Sequence, residues 1–163
     1  MKRFRLIILV ALLLFAFSAS SFAAVNNKYF RADKQYFDVE TGQYIISGNI
    51  VIHLNNGFIA GDNARVKLST LEFWGTGGWT LKQDDVTFKG DSAYVVFGKN
   101  VAMIEGGANF QRLDLQITAD SVDYNWKTKI AEFKGNVKVI QPGQVPVGSD
   151  LVRYNVETKE FVN

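Results

Sequence analysis

The sequence predicts an all-β fold assembled from a repeated unit, and three observations carry that prediction. Asp recurs at Asp33, Asp62, Asp91, Asp120 and Asp150, at intervals of 29, 29, 29 and 30 residues. Gly follows each of the first four by 15 residues, at Gly48, Gly77, Gly106 and Gly135. Between these markers apolar residues alternate with polar ones at the period-two spacing of strands with one buried face, and no segment after the N-terminal leader has a helical period of useful length. A fixed period between 20 and 50 residues is the signature of a repeat architecture.

The chain opens on a targeting segment. Lys2, Arg3 and Arg5 form a basic start, Leu6 to Phe17 is an unbroken apolar run, and Ser21-Phe22-Ala23 offers small residues three and one before a cut. Residues 1–23 therefore read as a signal peptide and residues 24–163 as one folded domain. The alternative keeps Leu6 to Val25, 20 residues without a charge, as a membrane anchor. The leader carries 3 of the 18 Lys and Arg and none of the 16 Asp and Glu, so the rest stands at 15 against 16, a net charge of −1. Such a mixed, near-neutral chain lacks the clustered basic face that nucleic acid requires, so no nucleic-acid partner is expected. With no cysteine in an exported chain, the core must hold the fold without disulfides.

Each unit is predicted to contain three apolar runs. Counting from its Asp, a first strand places Gln35, Ala64, Ala93, Val122 and Val152 two residues on, then Phe37, Val66, Val95, Tyr124 and Tyr154, then Val39, Leu68, Phe97, Trp126 and Val156. A polar turn follows, such as Glu40-Thr41-Gly42 or Lys127-Thr128-Lys129. A second strand then reads at offsets 11 and 13 through Tyr44, Phe73, Ala102, Ala131 and Phe161, and Ile46, Gly75, Ile104 and Phe133. At offsets 17 and 19 it reads through Ile50, Trp79, Ala108 and Val137, and Ile52, Leu81, Phe110 and Val139. The recurrent Gly shares the parity of this strand and marks a bend or a close backbone approach. Hairpin signals such as Asn55-Asn56-Gly57 lead into the third run, whose key residues are Phe30, Ile59, Phe88, Ile117 and Val147. A small residue precedes each of the five marker Asp, and the apolar parity flips there, so the small-Asp pair is expected to be a corner or bulge.

An Asp repeated in every copy has a structural reading, as an acceptor for backbone N–H groups at the corner. Five such carboxylates stacked on adjacent strands would repel one another, which favours a staggered antiparallel arrangement over a parallel solenoid. His53 is the only histidine, and with no Cys the chain lacks the usual donors for a transition metal. It is expected beside the first hairpin turn at the surface. Neither catalytic residues, a metal nor a cofactor is predicted.

The stretch Phe30 to Val66 resembles the OstA-type domain of the LptA-like periplasmic lipopolysaccharide transport family. The likeness rests on small-Asp, a Thr-Gly turn, Gly-Asn-Ile-Val-Ile and a second small-Asp; copy four repeats it in Ala119-Asp120 and Gly135-Asn136-Val137-Lys138-Val139. Copies two and three carry Gly77-Gly78 and Gly106-Gly107 where the pattern has Gly-Asn. The resemblance implies an antiparallel, V-shaped β-jelly roll with an apolar cleft for lipid A acyl chains. It also implies head-to-tail assembly into a bridge between inner-membrane LptC-like and outer-membrane LptD-like proteins.

The cleft is expected to be lined by Phe37, Tyr44, Ile46, Ile50 and Ile52 from copy one; Phe73, Trp79 and Leu81 from copy two; Val95, Ile104 and Phe110 from copy three; and Tyr124, Phe133, Val137 and Val139 from copy four. Phe30, Tyr154 and Phe161 mark the expected edge strands, which would recruit partners by β-augmentation. Other readings are an anchored LptC-like component of the same pathway and a structural or polysaccharide-binding β-repeat protein of the envelope.

Overall fold

A computed structural model describes residues 23–26, 28–145 and 147–162. The leader, apart from Ala23, lies outside the described residues. Eleven strands follow: β1 (Ala23–Asn26), β2 (Phe30–Asp38), β3 (Gln43–Leu54), β4 (Gly57–Lys67), β5 (Glu72–Gln83), β6 (Val86–Val96), β7 (Val101–Arg112), β8 (Leu115–Asn125), β9 (Ile130–Ile140), β10 (Val147–Asn155) and β11 (Glu160–Val162). They hydrogen-bond in chain order in one open sheet, every neighbour antiparallel. The fold is the expected antiparallel, all-β jelly roll.

Each repeat contributes two long strands rather than three runs. In β4, for example, Ile59, Gly61-Asp62, Ala64 and Val66 lie on one continuous strand. The parity flip is absorbed by a bulge. Arg31 pairs with Val51 and Lys34 with Ser47, so Ala32-Asp33 faces the three residues Gly48-Asn49-Ile50. The same shift recurs in every pair from β3–β4 to β9–β10, always where a small-Asp pair meets a Gly. One extra residue on alternate strands bends the sheet along a single line.

The backbone at that line explains the Gly-Asn pattern and its variant. Gly48, Gly77, Gly106 and Gly135 have φ between 73° and 87°, and the next residue also has positive φ: Asn49 at 49°, Gly78 at 82°, Gly107 at 69° and Asn136 at 48°. Gly and Asn tolerate this left-handed region best, so Gly-Gly and Gly-Asn are two solutions to one backbone demand. The first Gly is also needed for space, since a Cβ on Gly48 would lie 2.4 Å from Asp33 Oδ2 and one on Gly135 would lie 2.3 Å from Asp120 Oδ2.

In copies one and four the marker Asp has the expected structural role, but its partner differs. Asn49 Nδ2 donates to Asp33 Oδ2 at 2.7 Å and Asn136 Nδ2 to Asp120 Oδ2 at 2.8 Å, so a side-chain amide takes the place of the anticipated backbone N–H. The Asp residues occupy alternate strands, roughly 9.5 Å apart at two strand spacings, which relieves their repulsion.

The bend divides the strands into two arms. The first arm carries residues such as 43–47, 63–67, 101–105 and 130–134; the second carries 50–54, 57–60, 108–112 and 137–140. Their apolar faces turn toward each other. Phe110 of the second arm lies 5.7 Å from Phe133 and 5.5 Å from Tyr154 of the first, and Phe88 lies 5.3 Å from Tyr124. The packed interior falls into two clusters, one around Ile46, Ile50, Val66 and Trp79 and a larger one around Phe88, Phe110, Ile117, Val122 and Phe133. Gly75, the one gap in the offset-13 column, leaves room for Trp79, whose ring would lie 2.4 Å from a Cβ placed there.

Candidate functional site

The predicted cleft residues all belong to the faces that the arms turn toward each other, but the fold buries them unequally. Along the bend the two arms are in contact. Ile50, Phe133 and Val137 are at most 1% exposed, and Ile46, Trp79 and Ile104 are buried; Phe110, in the outer column with Ile52, Leu81 and Val139, is also fully buried, against Phe133 and Tyr154. Farther from the bend, near the strand tips, most of the same inner faces open. Tyr44, Ile52, Phe73, Leu81, Val95, Tyr124 and Val139 are half-buried, and Phe37 is 41% exposed. The interior is thus a wedge, solid at the crease and apolar at its lips.

Aromatic rings dominate the N-terminal lip. Phe37 rests on Tyr44 at 5.0 Å, and Phe73 meets Trp79 edge-on at 4.9 Å. These rings arise from one arithmetic fact: strand alternation brings offsets 4 and 11 of each unit to the same face of a hairpin, where Phe37 pairs with Tyr44 and Phe73 with Val66. Burial pushes the Tyr124 hydroxyl above its ordinary pKa of 10.0, with Glu157 adding to the shift, as suits a ring stacked on Phe88 inside the wedge.

The lips differ between the two halves of the molecule. At the C-terminal half Arg112, at the end of β7, follows Phe110 on the inner face and pairs with Val86 and Leu115, which both pack on the larger cluster. Its Nε donates to Asp85 Oδ2 at 2.8 Å and its Nη1 donates to the backbone carbonyl of Val156, in the β10–β11 turn of the opposite arm. Arg112 holds the Asp85 carboxyl below its ordinary 3.8. Sequence reasoning missed this residue because a lone charge at a strand end reads as a solvated tip. The available signal was its parity, two residues beyond Phe110.

Two of the three residues expected on edge strands need correction. Phe30 is 5% exposed and Tyr154 is 3% exposed, each inside a packed cluster. β1 covers β2 from Arg31 to Gln35, and β11 covers β10 from Arg153 to Asn155, so the strands of these residues are not the outermost along those stretches. Phe161 does lie on a terminal strand, 48% exposed and 5.3 Å from Tyr154. Val147, Gly148 and Ser149 at the start of β10 are exposed beyond the reach of β11.

His53 is exposed near the first hairpin, as expected. Among the described residues no three His, Asp or Glu side chains come together in a way that could hold a metal ion, and no helix is long and apolar enough to cross a membrane. Sequence reasoning also left Phe88 and Ile117 out of the expected lining, although they occupy the centre of the larger cluster at 1% and 0% exposure.

Comparison with known proteins agrees with this architecture. A family model described as "LptA/(LptD N-terminal domain) LPS transport protein" matches residues 29–160. Among solved structures, LptH from Pseudomonas aeruginosa, described as the LptA homologous periplasmic component of the conserved lipopolysaccharide transport device, superposes with a TM-score of 0.59 at 13% identity, covering 76% of this chain and 91% of that one. No curated protein matches the chain. With the match spanning most of its length, the chain belongs to the LptA/LptD N-terminal domain family of lipopolysaccharide transport proteins.

Proposed function

We propose that this protein is a periplasmic bridge component of lipopolysaccharide transport that holds lipid A acyl chains between its two arms. The observation that carries the reading is the wedge itself: two apolar faces joined at a bend, with Phe37, Tyr44 and Phe73 partly open to solvent at one lip. Acyl chains enter at that lip and lie along Tyr44, Ile52, Phe73, Leu81 and Val95, parting the arms as they approach the close-packed residues at the crease.

Magnitude favours a bridge over a free shuttle. Burying a chain of about a dozen methylenes contributes on the order of 10 kcal/mol gross, so several chains would leave a solitary carrier slowly. Handover between adjoining wedges of similar chemistry costs little at each step. The uncovered start of β10 and the terminal strands β1 and β11 are the surfaces from which head-to-tail contacts with LptC-like and LptD-like proteins, or with further copies, would grow by strand addition. Residues 1–23 act in this scheme as the export signal.

The test is photo-crosslinking of purified protein to lipopolysaccharide. A photoreactive residue at Phe37 or Phe73 captures the lipid, and one at outward-facing Lys138 does not. Equal capture at Lys138, or none at either lip position, would refute the wedge as the site.

A further inference from the structure

We infer that Arg112 is a strap that holds the C-terminal half of the wedge shut, and that it releases the opposite arm by exchanging the Val156 carbonyl for the anionic head group of an amphiphile lying between the arms. The exchange rests on the lipid-binding reading above; the strap itself does not.

The geometry argues for a strap. Arg112 sits at the tip of one arm with its side chain only 10% exposed, and Val156 begins the turn at the tip of the other. No other position of the repeat can do this. The residues 21 beyond the other Asp markers are Leu54, Gln83 and Gln141, none of them charged. The contact therefore closes one half of the mouth, while the other half presents Phe37 partly bare. The two partners of Arg112 also differ in kind. Asp85 is a carboxylate on the same arm, so that bond survives opening. Val156 offers a neutral carbonyl, the weaker type of acceptor for a guanidinium. A phosphate or carboxylate arriving at the mouth competes with the carbonyl, because the planar fork of Arg binds anions in a charge-assisted, bidentate fashion.

The experiment uses the absence of cysteine in the chain to place spin labels uniquely. Labels at Leu113→Cys and Thr158→Cys, both exposed, span the strapped half of the mouth; labels at Val39→Cys and Asn55→Cys, also exposed, span the other half. In ligand-free protein the first pair gives one narrow distance, and Arg112→Gln lengthens and broadens it by several ångströms while the second pair stays unchanged. An unchanged first pair overturns the strap. Broadening of both pairs overturns it too, since Arg112 would then support the whole fold.

Palmitoyl lysophosphatidic acid is expected to lengthen the first distance in the wild-type background, whereas palmitoyl lysophosphatidylcholine and inorganic phosphate are not. Equal responses to the two lysolipids overturn the exchange, and a response to inorganic phosphate alone reassigns Arg112 to a free anion. If neither lysolipid alters the distance or the tryptophan fluorescence, the lipid reading and the exchange fall together, and the strap is judged by its ligand-free distances alone.

Discussion

Replacing Gly107 by Asn transfers the solution used in copies one and four into copy three. Gly107 has φ of 69° and follows Gly106 at the bend, the place that Asn49 and Asn136 occupy at 49° and 48°. A Cβ at Gly107 would meet nothing within 4 Å. The new amide would be placed to donate to Asp91, as Asn49 does to Asp33 and Asn136 to Asp120. Such a hydrogen bond contributes about 1 kcal/mol. Removing a Gly from the unfolded chain adds about 0.5 kcal/mol, roughly cancelled by the residual cost of positive φ for Asn. G107N should therefore stabilise the protein by about 1 kcal/mol, raising Tm by about 3 °C for a chain of this size. G107A, which brings the backbone penalty without the bond, should cost about 1 kcal/mol. Urea denaturation of G107N, Asp91→Ala and the double variant isolates the pair, with a coupling of about 1 kcal/mol expected. A G107N protein as unstable as G107A, or a cycle without coupling, would refute the account of the bend.

Three further outcomes follow from the geometry. Phe110→Ala empties a site with no exposure and should cost about 3–5 kcal/mol in chemical denaturation, whereas Phe37→Ala should cost about 1 kcal/mol or less while reducing lipid capture; the opposite ranking would place the core at the lip. The folded state lowers the Asp85 pKa through Arg112, with Lys159 adding a smaller effect, so its contribution is complete above the unfolded value of 3.8 and is lost as pH falls through the lower folded value. The distance between labels at Leu113 and Thr158 should thus stay constant from pH 5 to 8 and widen only as pH falls through the lowered folded value, and Asp85→Asn should remove that acid dependence. Gly106→Ala should destabilise more than G107A, since its Cβ would lie 2.6 Å from the Asp91 Cβ; equal losses in thermal melts would remove the steric role given to the first Gly.

Much of the fold is legible in the sequence because two markers keep one period while apolar residues keep one parity. That combination identifies strands, faces and bend together, and the inner face carries the expected columns from Tyr44 to Val139. What it hides depends on the bend. Three runs per unit became two strands, since a bulge carries a parity change without ending a strand. The Gly77-Gly78 and Gly106-Gly107 pairs read only as departures from the Gly-Asn pattern, because spacing does not report φ. Phe30 and Tyr154 read as edges because each lies in the first or last copy of the repeat, yet β1 and β11 overlie their strands. Arg112 became visible only when the arms were folded together, for its partner Val156 lies 44 residues away. The half-burial of Phe73 and the exposure of Phe37 likewise come from where the arms diverge, a property of the angle at the crease and not of the alternation along each strand.

The most direct measurement is intermolecular nuclear Overhauser contact between lipid acyl protons and methyl groups of the labelled protein. Acyl chains held between the arms give contacts to Ile52, Leu81 and Val95, whose side chains face inward, and none to Val51 or Ile140 on the outer face. Contacts confined to Val51 and Ile140 would contradict a lipid site inside the wedge.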